Sequence, residues 1–430
     1  MKILTVCSGL GIGGIERAAQ NYTLGYHRAG HHVAFLNWGF EGVRQKILEN
    51  QDIQVFAAGG DLADALKKAD SFNPDIIHIH RRGWCDDRET YILEKLYKKE
   101  RRVIEQNVFG GVDYSPASDL IDVHLQLSKW CMWRWRRLLG VKQYSTPGVI
   151  VPYPVNPEDF NRSSNGEIDD YLSRHNIERN AYICGRVGQP IEGKWHPQTL
   201  FAFATLVKKD HNAILLLIGM PPTYQKILNS LPLDVRQRII QLPLTDSDND
   251  LKIFYSSLDC FMHAANQGES FGFVLTEAML CGCPVATVSQ PHRDNSQVEV
   301  VGHMKGGIVA GSMKKLSDAV IRLWSDKELR QTIRKNARVY VIERYDINKV
   351  VATALRVAKI ALSVGDRRSL IRLLNEDSDL QTAADDKEIY SLCHNTIGKP
   401  SPMDILRMNV FHSPVFNRTK LFLRRIRKGD

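Results

Sequence analysis

Along the N-terminal part of the chain, short apolar runs alternate with stretches whose apolar residues recur every three or four positions. The runs Lys2–Cys7, His32–Leu36, Ile53–Phe56, Asp75–His80 and Arg102–Gln106 predict strands, and Ile15–Ala29, Leu62–Ala69 and Thr90–Lys99 predict helices. Strands that alternate with helices imply βαβ units, a parallel sheet covered on both faces and right-handed crossovers, hence a doubly wound sheet. The rhythm breaks between Pro147 and Asn165, where Pro147, Pro152, Pro154 and Pro157 crowd together ahead of a polar stretch; this reads as a linker. It then restarts, with strands over Tyr182–Val187, Ala213–Gly219, Ile239–Leu242, Cys260–His263 and Val285–Val288. Helices over Thr199–Lys208, Tyr224–Leu231, Asp250–Ser257 and Phe273–Cys281 fall between them. From about Leu355 the chain is helical in composition and laced with charge. The expectation is two Rossmann-like α/β domains, 1–160 and 161–350, followed by a helical C-terminal extension over 351–430 with a basic tail.

Composition narrows the class without naming a function. At roughly 150 residues per domain, a chain of 430 holds two or three. Apolar residues at 43% and charged residues at 24% exclude disorder, collagen or coiled coil as the main architecture. The longest apolar stretch, around Ala213–Met220, falls far short of the roughly 20 residues that span a bilayer. The N-terminal Met1–Val6 is too short for a signal peptide and runs into glycines rather than a cleavage site, so a cytoplasmic protein is expected. The eight cysteines are scattered, and the one close pair, Cys281 and Cys283, has neither zinc nor redox spacing. Buried, reduced thiols and no metal site are expected.

The net charge of +9 is uneven, because Phe416–Asp430 holds six cations against one acid and so carries +5 of it. A second basic segment, Lys129–Arg137, interleaves cations with Trp130, Trp133 and Trp135. Such segments occur in nucleic-acid proteins, but a solvated face is the ordinary reading and no nucleic-acid partner is expected. Contact with an anionic membrane surface is the next reading, with core packing of the tryptophans as the plainer account.

Three segments carry chemistry. Gly9–Arg17 follows the first strand and opens a helix; its glycines, Gly13 and Gly14 among them, permit close approach of a ligand to the backbone, and the helix start offers N–H groups to an anion. Its spacing fits neither the dinucleotide fingerprint nor the Walker loop, so a simple tight turn is the alternative. In Gly268–Met279, two glutamates, Glu269 and Glu277, flank a strand exit and a new helix, where open α/β sheets bind ligands. The amides of Ser270, Phe271, Gly272 and Phe273 between them suit phosphate oxygens, and the carboxylates suit sugar hydroxyls. In Gly185–His196, Arg186 ends a strand and Lys194 precedes a helix; two cations there would neutralise a diphosphate.

Together these segments resemble family 4 of the retaining glycosyltransferases, which have the GT-B fold. The motifs are Gly13-Gly14-x-Glu16, Gly185-Arg186 with Lys194, and Glu269-x₇-Glu277. Asp75–His80, Val151–Asn156 and Glu343-Arg344-Tyr345 add to them, so the resemblance covers about residues 1–350. It implies two Rossmann-like domains facing each other across a cleft, with a nucleotide-sugar donor held by the second and an acceptor by the first. By that resemblance Arg186 and Lys194 bind the donor diphosphate, Glu269 the transferred sugar and Glu277 the ribose, with the amides of Ser270–Phe273 near sugar and phosphate. Gly13 and Gly14 would line the first domain's side. His80, at the end of a strand, could face the same cleft, with a satisfied structural role as the plainer reading. Where many members carry a histidine this chain has Asn107, which can hydrogen-bond sugar but cannot titrate, and the spacing from Arg186 to Lys194 is longer than usual. The implied donor is a UDP- or GDP-sugar, and the acceptor is a glycan or lipid-linked saccharide of surface polysaccharide assembly. No metal or other cofactor is implied. A nucleotide-sugar epimerase, or a nucleotide-sugar-binding protein with a decayed site, would share this architecture. Arg186→Ala is expected to keep the fold and lower transfer by about 10²–10³.

Overall fold

The structure, a computed structural model, describes residues 1–417 and residue 419. The tail cations Arg418, Lys420, Arg424, Arg425, Arg427 and Lys428 lie outside the described residues. The chain divides into two compact units, one built from Met1–Val155, Tyr345–Ile389 and the chain from Asn409, the other from Asn156–Arg344 and Tyr390–Met408.

The first unit is organised on strands β1 (Lys2–Gly9), β2 (His32–Phe40), β3 (Gln54–Ala57), β4 (Ile76–Arg81), β5 (Arg102–Asn107), β6 (Val123–Gln126) and β7 (Gly148–Ile150). They form one parallel sheet in the order β3-β2-β1-β4-β5-β6-β7. The order reverses between β1 and β4, which is the topological switch point. β6 and β7 escaped the apolar pattern because they are short and, in Val123–Gln126, mix His and Gln into the run. The core on one face joins Leu4, Val6, Ile77 and Ile79 to Leu66, Ile92 and Leu93 of the flanking helices.

The second unit carries β8 (Ile183–Val187), β9 (Ile214–Ile218), β10 (Ile239–Leu242), β11 (Cys260–Met262), β12 (Gly268–Glu269), β13 (Val285–Val288), β14 (Asp294–Asn295) and β15 (Gly307–Ala310). Six of them form a parallel sheet in the order β10-β9-β8-β11-β13-β15, and β12 pairs with β14 as a small ribbon. The switch point here lies between β8 and β11.

The region after residue 350 is helical but does not make a body of its own. Helix Ile347–Ser363 packs on helix Gly14–Arg28 of the first unit, and Arg102 caps its end through the Ala361 and Val364 carbonyls at 2.8 and 2.7 Å. Residues 390–408 join the second unit. Composition alone could not divide this segment, because the division follows which apolar face each helix finds to cover.

Of the two expectations about buried side chains, the packing of the tryptophans holds and that of the cysteines changes at one position. Trp130, Trp133 and Trp135 of helix Lys129–Leu139 are all buried, with the Trp133 indole donating to Asp386 at 2.6 Å and Lys129 paired with Glu388 at 2.7 Å. Arg136 is spent on the carbonyls of Gln143, Thr146 and Thr382. That helix therefore offers no aromatic face to a membrane. Seven cysteines are buried free thiols as expected, but Cys85 is exposed.

Gly25 marks how closely the C-terminal helix sits on the first unit: a Cβ there would lie 2.4 Å from Val351 Cγ2. Val351 is β-branched and stiff, so the helix itself would have to move. Gly25→Leu should destabilise by about 1–3 kcal/mol from overpacking, read as a lower thermal unfolding midpoint. Val351→Ala in the same chain should recover part of it, and no recovery would show that the two helices do not meet there.

Candidate active site

The second unit's site is assembled at the carboxyl edge of β8 and β11. Arg186 sits near the end of β8, and His263 follows β11 directly, so the two flank the switch point where open α/β sheets accept ligands. Lys194 comes from the loop after β8, and Glu269 from the ribbon strand β12.

The loops are sewn together before any side chain is considered. Gln267 N donates to Gly193 O at 3.0 Å and Asn266 N to Trp195 O at 3.1 Å, which joins the Lys194 loop to the segment leading into Glu269. Gly268 has φ +70°, and a Cβ there would fall 1.7 Å from Asp294 O, so only glycine lets β12 lie against β14. Gln297 Oε1 then accepts from Glu269 N at 3.1 Å, while its own amide donates to Val288 O at 2.8 Å. The Glu269 backbone is therefore held on the sheet by a buried glutamine.

The Glu269 carboxylate is buried between two partners, with Oε2 accepting from Lys194 Nζ at 2.9 Å and Oε1 lying 3.3 Å from His263 Nε2. Burial pushes its pKa up, but the Lys194 charge and the His263 hydrogen bond outweigh it, and the carboxyl ends well below the usual range. A carboxylate can only accept, so His263 donates from Nε2, and its Nδ1 accepts from the Thr287 hydroxyl 3.2 Å away. Burial lowers His263 to about 4, so it is neutral at neutral pH.

Arg186 is fully buried. Its guanidinium lies 5.0 Å from the Trp195 ring centroid and 5.8 Å from that of Phe261, and donates to Val187 O at 2.6 Å and Lys194 O at 2.5 Å. Burial lowers its pKa to about 10, which leaves it a cation. Arg186→Ala would therefore remove more than a charge, because the guanidinium also pins the turn that presents Lys194. Glu277, in the second turn of helix Phe273–Leu280, is buried and accepts from the Tyr255 hydroxyl at 3.0 Å. Tyr255 in turn meets Phe261 edge-on at 5.4 Å, which links Glu277 to the ring beside Arg186. Gly272 caps that helix at φ +89°, with Ser270, Phe271 and Phe273 buried around it.

The structure thus brings Arg186, Lys194 and Glu269 together, ties Glu277 in through Tyr255, and adds His263 and Gln297, which the sequence reading passed over. The position of His263 at the exit of the strand next to β8 was the available signal. It required strand order, which no local pattern contains.

Gly13, Gly14, His80 and Asn107 belong to the first unit. Gly13 precedes helix Gly14–Arg28, and a Cβ on it would lie 2.2 Å from Glu16 Oε2, so the Glu16 carboxylate folds back over this turn. His80 is buried, with its ring 4.6 Å from His78 and 5.6 Å from Tyr22, and neither nitrogen has a hydrogen-bond partner among the described residues. Strand alternation explains this, since His78 and His80 share the face of β4 that lies under Tyr22 and Tyr26. Asn107, expected to bind sugar, has its amide engaged: Nδ2 donates to Gly111 O at 2.9 Å and Oδ1 accepts from Gly111 N at 3.2 Å.

Residues 167–340 match the family Glycosyl transferases group 1, and that stretch holds every residue of the Arg186–Lys194–His263–Glu269 cluster. Over 154 residues the chain is 31% identical to N-acetyl-alpha-D-glucosaminyl L-malate synthase of Bacillus anthracis, covering 35% of this chain and 38% of that protein. It is 26% identical over 173 residues to the capsular polysaccharide biosynthesis glycosyltransferase CapM of Staphylococcus aureus, covering 40% of this chain and 44% of that one. The chain thus matches about two fifths of the length of these relatives. Among solved structures, HepE of Anabaena in complex with UDP-glucose aligns with a TM-score of 0.64 at 19% identity, covering 83% of this chain and 99% of that one. Sucrose-phosphate synthase from Thermosynechococcus elongatus aligns at 0.66 and 15% identity, covering 84% and 99%. These likenesses are of fold, the α/β GT-B class with its C-terminal helical region.

His263 gives a pH test. Its folded pKa of about 4 lies below the unfolded value of 6.5, so between them the unfolded chain binds more protons. Its contribution to stability is complete above pH 6.5, falls by about 1.4 kcal/mol per pH unit on acidification towards 4, and then levels off. Glu269 acts lower, its contribution fading only as pH falls below the ordinary carboxylate range. Between pH 8 and 4, the thermal midpoint of the wild type should lose ground against that of His263→Gln only below 6.5. A constant difference across the range would contradict a neutral, buried His263.

Proposed function

We propose that the chain is a retaining glycosyltransferase of family 4 that moves a sugar from a nucleotide-diphosphate sugar to a glycan or lipid-linked acceptor, in surface polysaccharide assembly. The observation that carries this reading is the Lys194–Glu269–His263 constellation beside Arg186, at the switch point of a unit that matches the group 1 glycosyltransferases. In the absence of donor, Glu269 and Lys194 satisfy each other. An arriving diphosphate competes for Lys194, and the released carboxylate accepts from hydroxyls of the transferred sugar. Lys194 can make that move because its side chain is 35% exposed, whereas Arg186 is locked to backbone carbonyls and contributes fixed positive charge. The amides around Gly272 add donors, and Glu277 takes the ribose hydroxyls by exchange with Tyr255.

Departure of the nucleoside diphosphate breaks the bond to the sugar's anomeric carbon. The acceptor hydroxyl bonds to that carbon from the same face, and its proton passes to the leaving phosphate oxygen. No protein nucleophile is needed, so catalysis rests on stabilising charge on the leaving group. A UDP-sugar is favoured over a GDP-sugar, and a structural neighbour of this fold was solved with UDP-glucose. The reading carries a cytoplasmic setting. Where the acceptor is lipid-linked it also carries contact with the anionic inner face of the membrane through the tail cations, now that the tryptophans of Lys129–Leu139 are accounted for by packing.

The test is Lys194→Ala, which keeps the backbone hydrogen bonds between the loops but leaves the buried Glu269 carboxylate with His263 alone; with its folding checked by the thermal midpoint, it should lower transfer by about 10²–10³, measured by mass spectrometry of product after a donor screen. Near-normal turnover would remove Lys194 from the site. Activity should survive EDTA, since the cations and amides take a metal's place, and loss on chelation would overturn that part of the reading. With donor alone, slow hydrolysis is expected; conversion to an epimeric donor would make the enzyme an epimerase.

A further inference from the structure

The first unit has a switch point of its own, between β1 and β4. One side of it is the glycine loop after β1, and the other is the loop Arg82–Asp86 after β4. On that second loop Trp84 is 42% exposed, and its indole stacks on Phe109 from the loop after β5, with centroids 5.4 Å apart and planes at 14°. Phe109 covers part of the indole and is itself half-buried; the rest of the indole faces solvent.

An exposed tryptophan on an ordinary loop would be free to move, but this one is braced from beneath. Arg81 Nη2 donates to Trp84 O at 3.2 Å, and the Arg81 side chain is fully buried among Glu89 at 2.9 Å, Asp113 at 2.7 Å and Glu105 at 3.4 Å. Gly83, at φ +85°, rides on Asn107, where a Cβ would fall 2.2 Å from Oδ1. Asn107 in turn clamps Gly111, and a Cβ on Gly111 would lie 3.4 Å from the Trp84 ring. A buried three-carboxylate cage around one guanidinium is a costly support, and what it holds is a flat aromatic face at the ligand edge of a parallel sheet.

We propose that Trp84, supported by Phe109, is a stacking platform for a pyranose ring of the acceptor. This inference rests on the transferase reading and deepens its acceptor side. The indole face is electron-rich, and the axial C–H face of a pyranose is apolar and weakly positive, so the two stack while the ring hydroxyls stay at the edge. The rim of the loop fits that ligand: Arg82, Asp86, Asp87 and Arg88 are exposed and supply hydrogen-bonding groups, whereas an acyl chain would call for continuous apolar surface.

The experiment is saturation-transfer NMR on the full chain with methyl glucopyranoside, galactopyranoside, mannopyranoside and N-acetylglucosaminide. At least one should bind with its axial ring protons closest to the protein. Trp84→Ala should weaken that binding about tenfold, and Trp84→Phe should restore part of it. Tyr144→Ala, at a residue 79% exposed elsewhere in the unit, should change nothing. Equal binding by wild type and Trp84→Ala, or no binding of any of the four up to their solubility limits, overturns the platform. A thermal-shift titration of the wild type with UDP-glucose and GDP-mannose runs alongside. Donor binding without pyranoside binding overturns the platform alone, whereas absence of both overturns the transferase reading and the platform with it.

Discussion

A carboxylate removed from water persists as an anion only where cations and hydrogen-bond donors take water's place. Glu269 meets that condition with Lys194 on one oxygen and His263 on the other, and most of the second unit's local architecture serves to keep them there. The glycine at 268 allows the ribbon to form, Gln297 fastens its backbone, Arg186 pins the turn before Trp195, and two backbone hydrogen bonds join the loops. Each is a small contribution, but none is independent of the others. The outcome is a paired charge of which one member, Lys194, reaches solvent.

The first unit solves a related problem differently. Arg81 is surrounded by Glu89, Glu105 and Asp113, and Glu105 also meets His124. Burial dominates at Glu89 and, against the pull of Arg81, raises it to about 7, so this cage is not held by full ionisation of all its acids. In the second unit one charged partner reaches solvent, whereas in the first the charge is interior and holds the loop after β4 through the Trp84 carbonyl. Both lie at the carboxyl edges of parallel sheets beside a reversal of strand order, where loops diverge and leave room.

Legibility of the site followed how local its causes are. Arg186, Lys194, Glu269 and Glu277 stand in short segments with glycines and helix starts that mark strand exits, and the family resemblance those motifs carry implied that they meet. His263 could not, because a histidine after a three-residue strand looks like any core histidine until β11 is known to lie beside β8. His80 left two readings open in the sequence: it sits near a strand exit, and only the pleat shows that its ring lies against Tyr22. Asn107 is at the expected strand end, and what the pattern could not show is that Gly111 returns to occupy its amide.

Periodicity and punctuation in the chain determined two parallel α/β units with a break between residues 147 and 165, because apolar spacing, glycine and proline act over a few neighbouring residues. They also determined that one segment would carry cations and another carboxylates beside a helix start. Tertiary structure alone decided that the tryptophans of Lys129–Leu139 face inward, that the C-terminal helices divide between the units, and that Arg186 is a buried strut while Lys194 is a partly exposed cation. Those outcomes depend on which surfaces meet across long sequence separations, and burial, which sets both pairing and ionisation, is a property of the assembled surfaces.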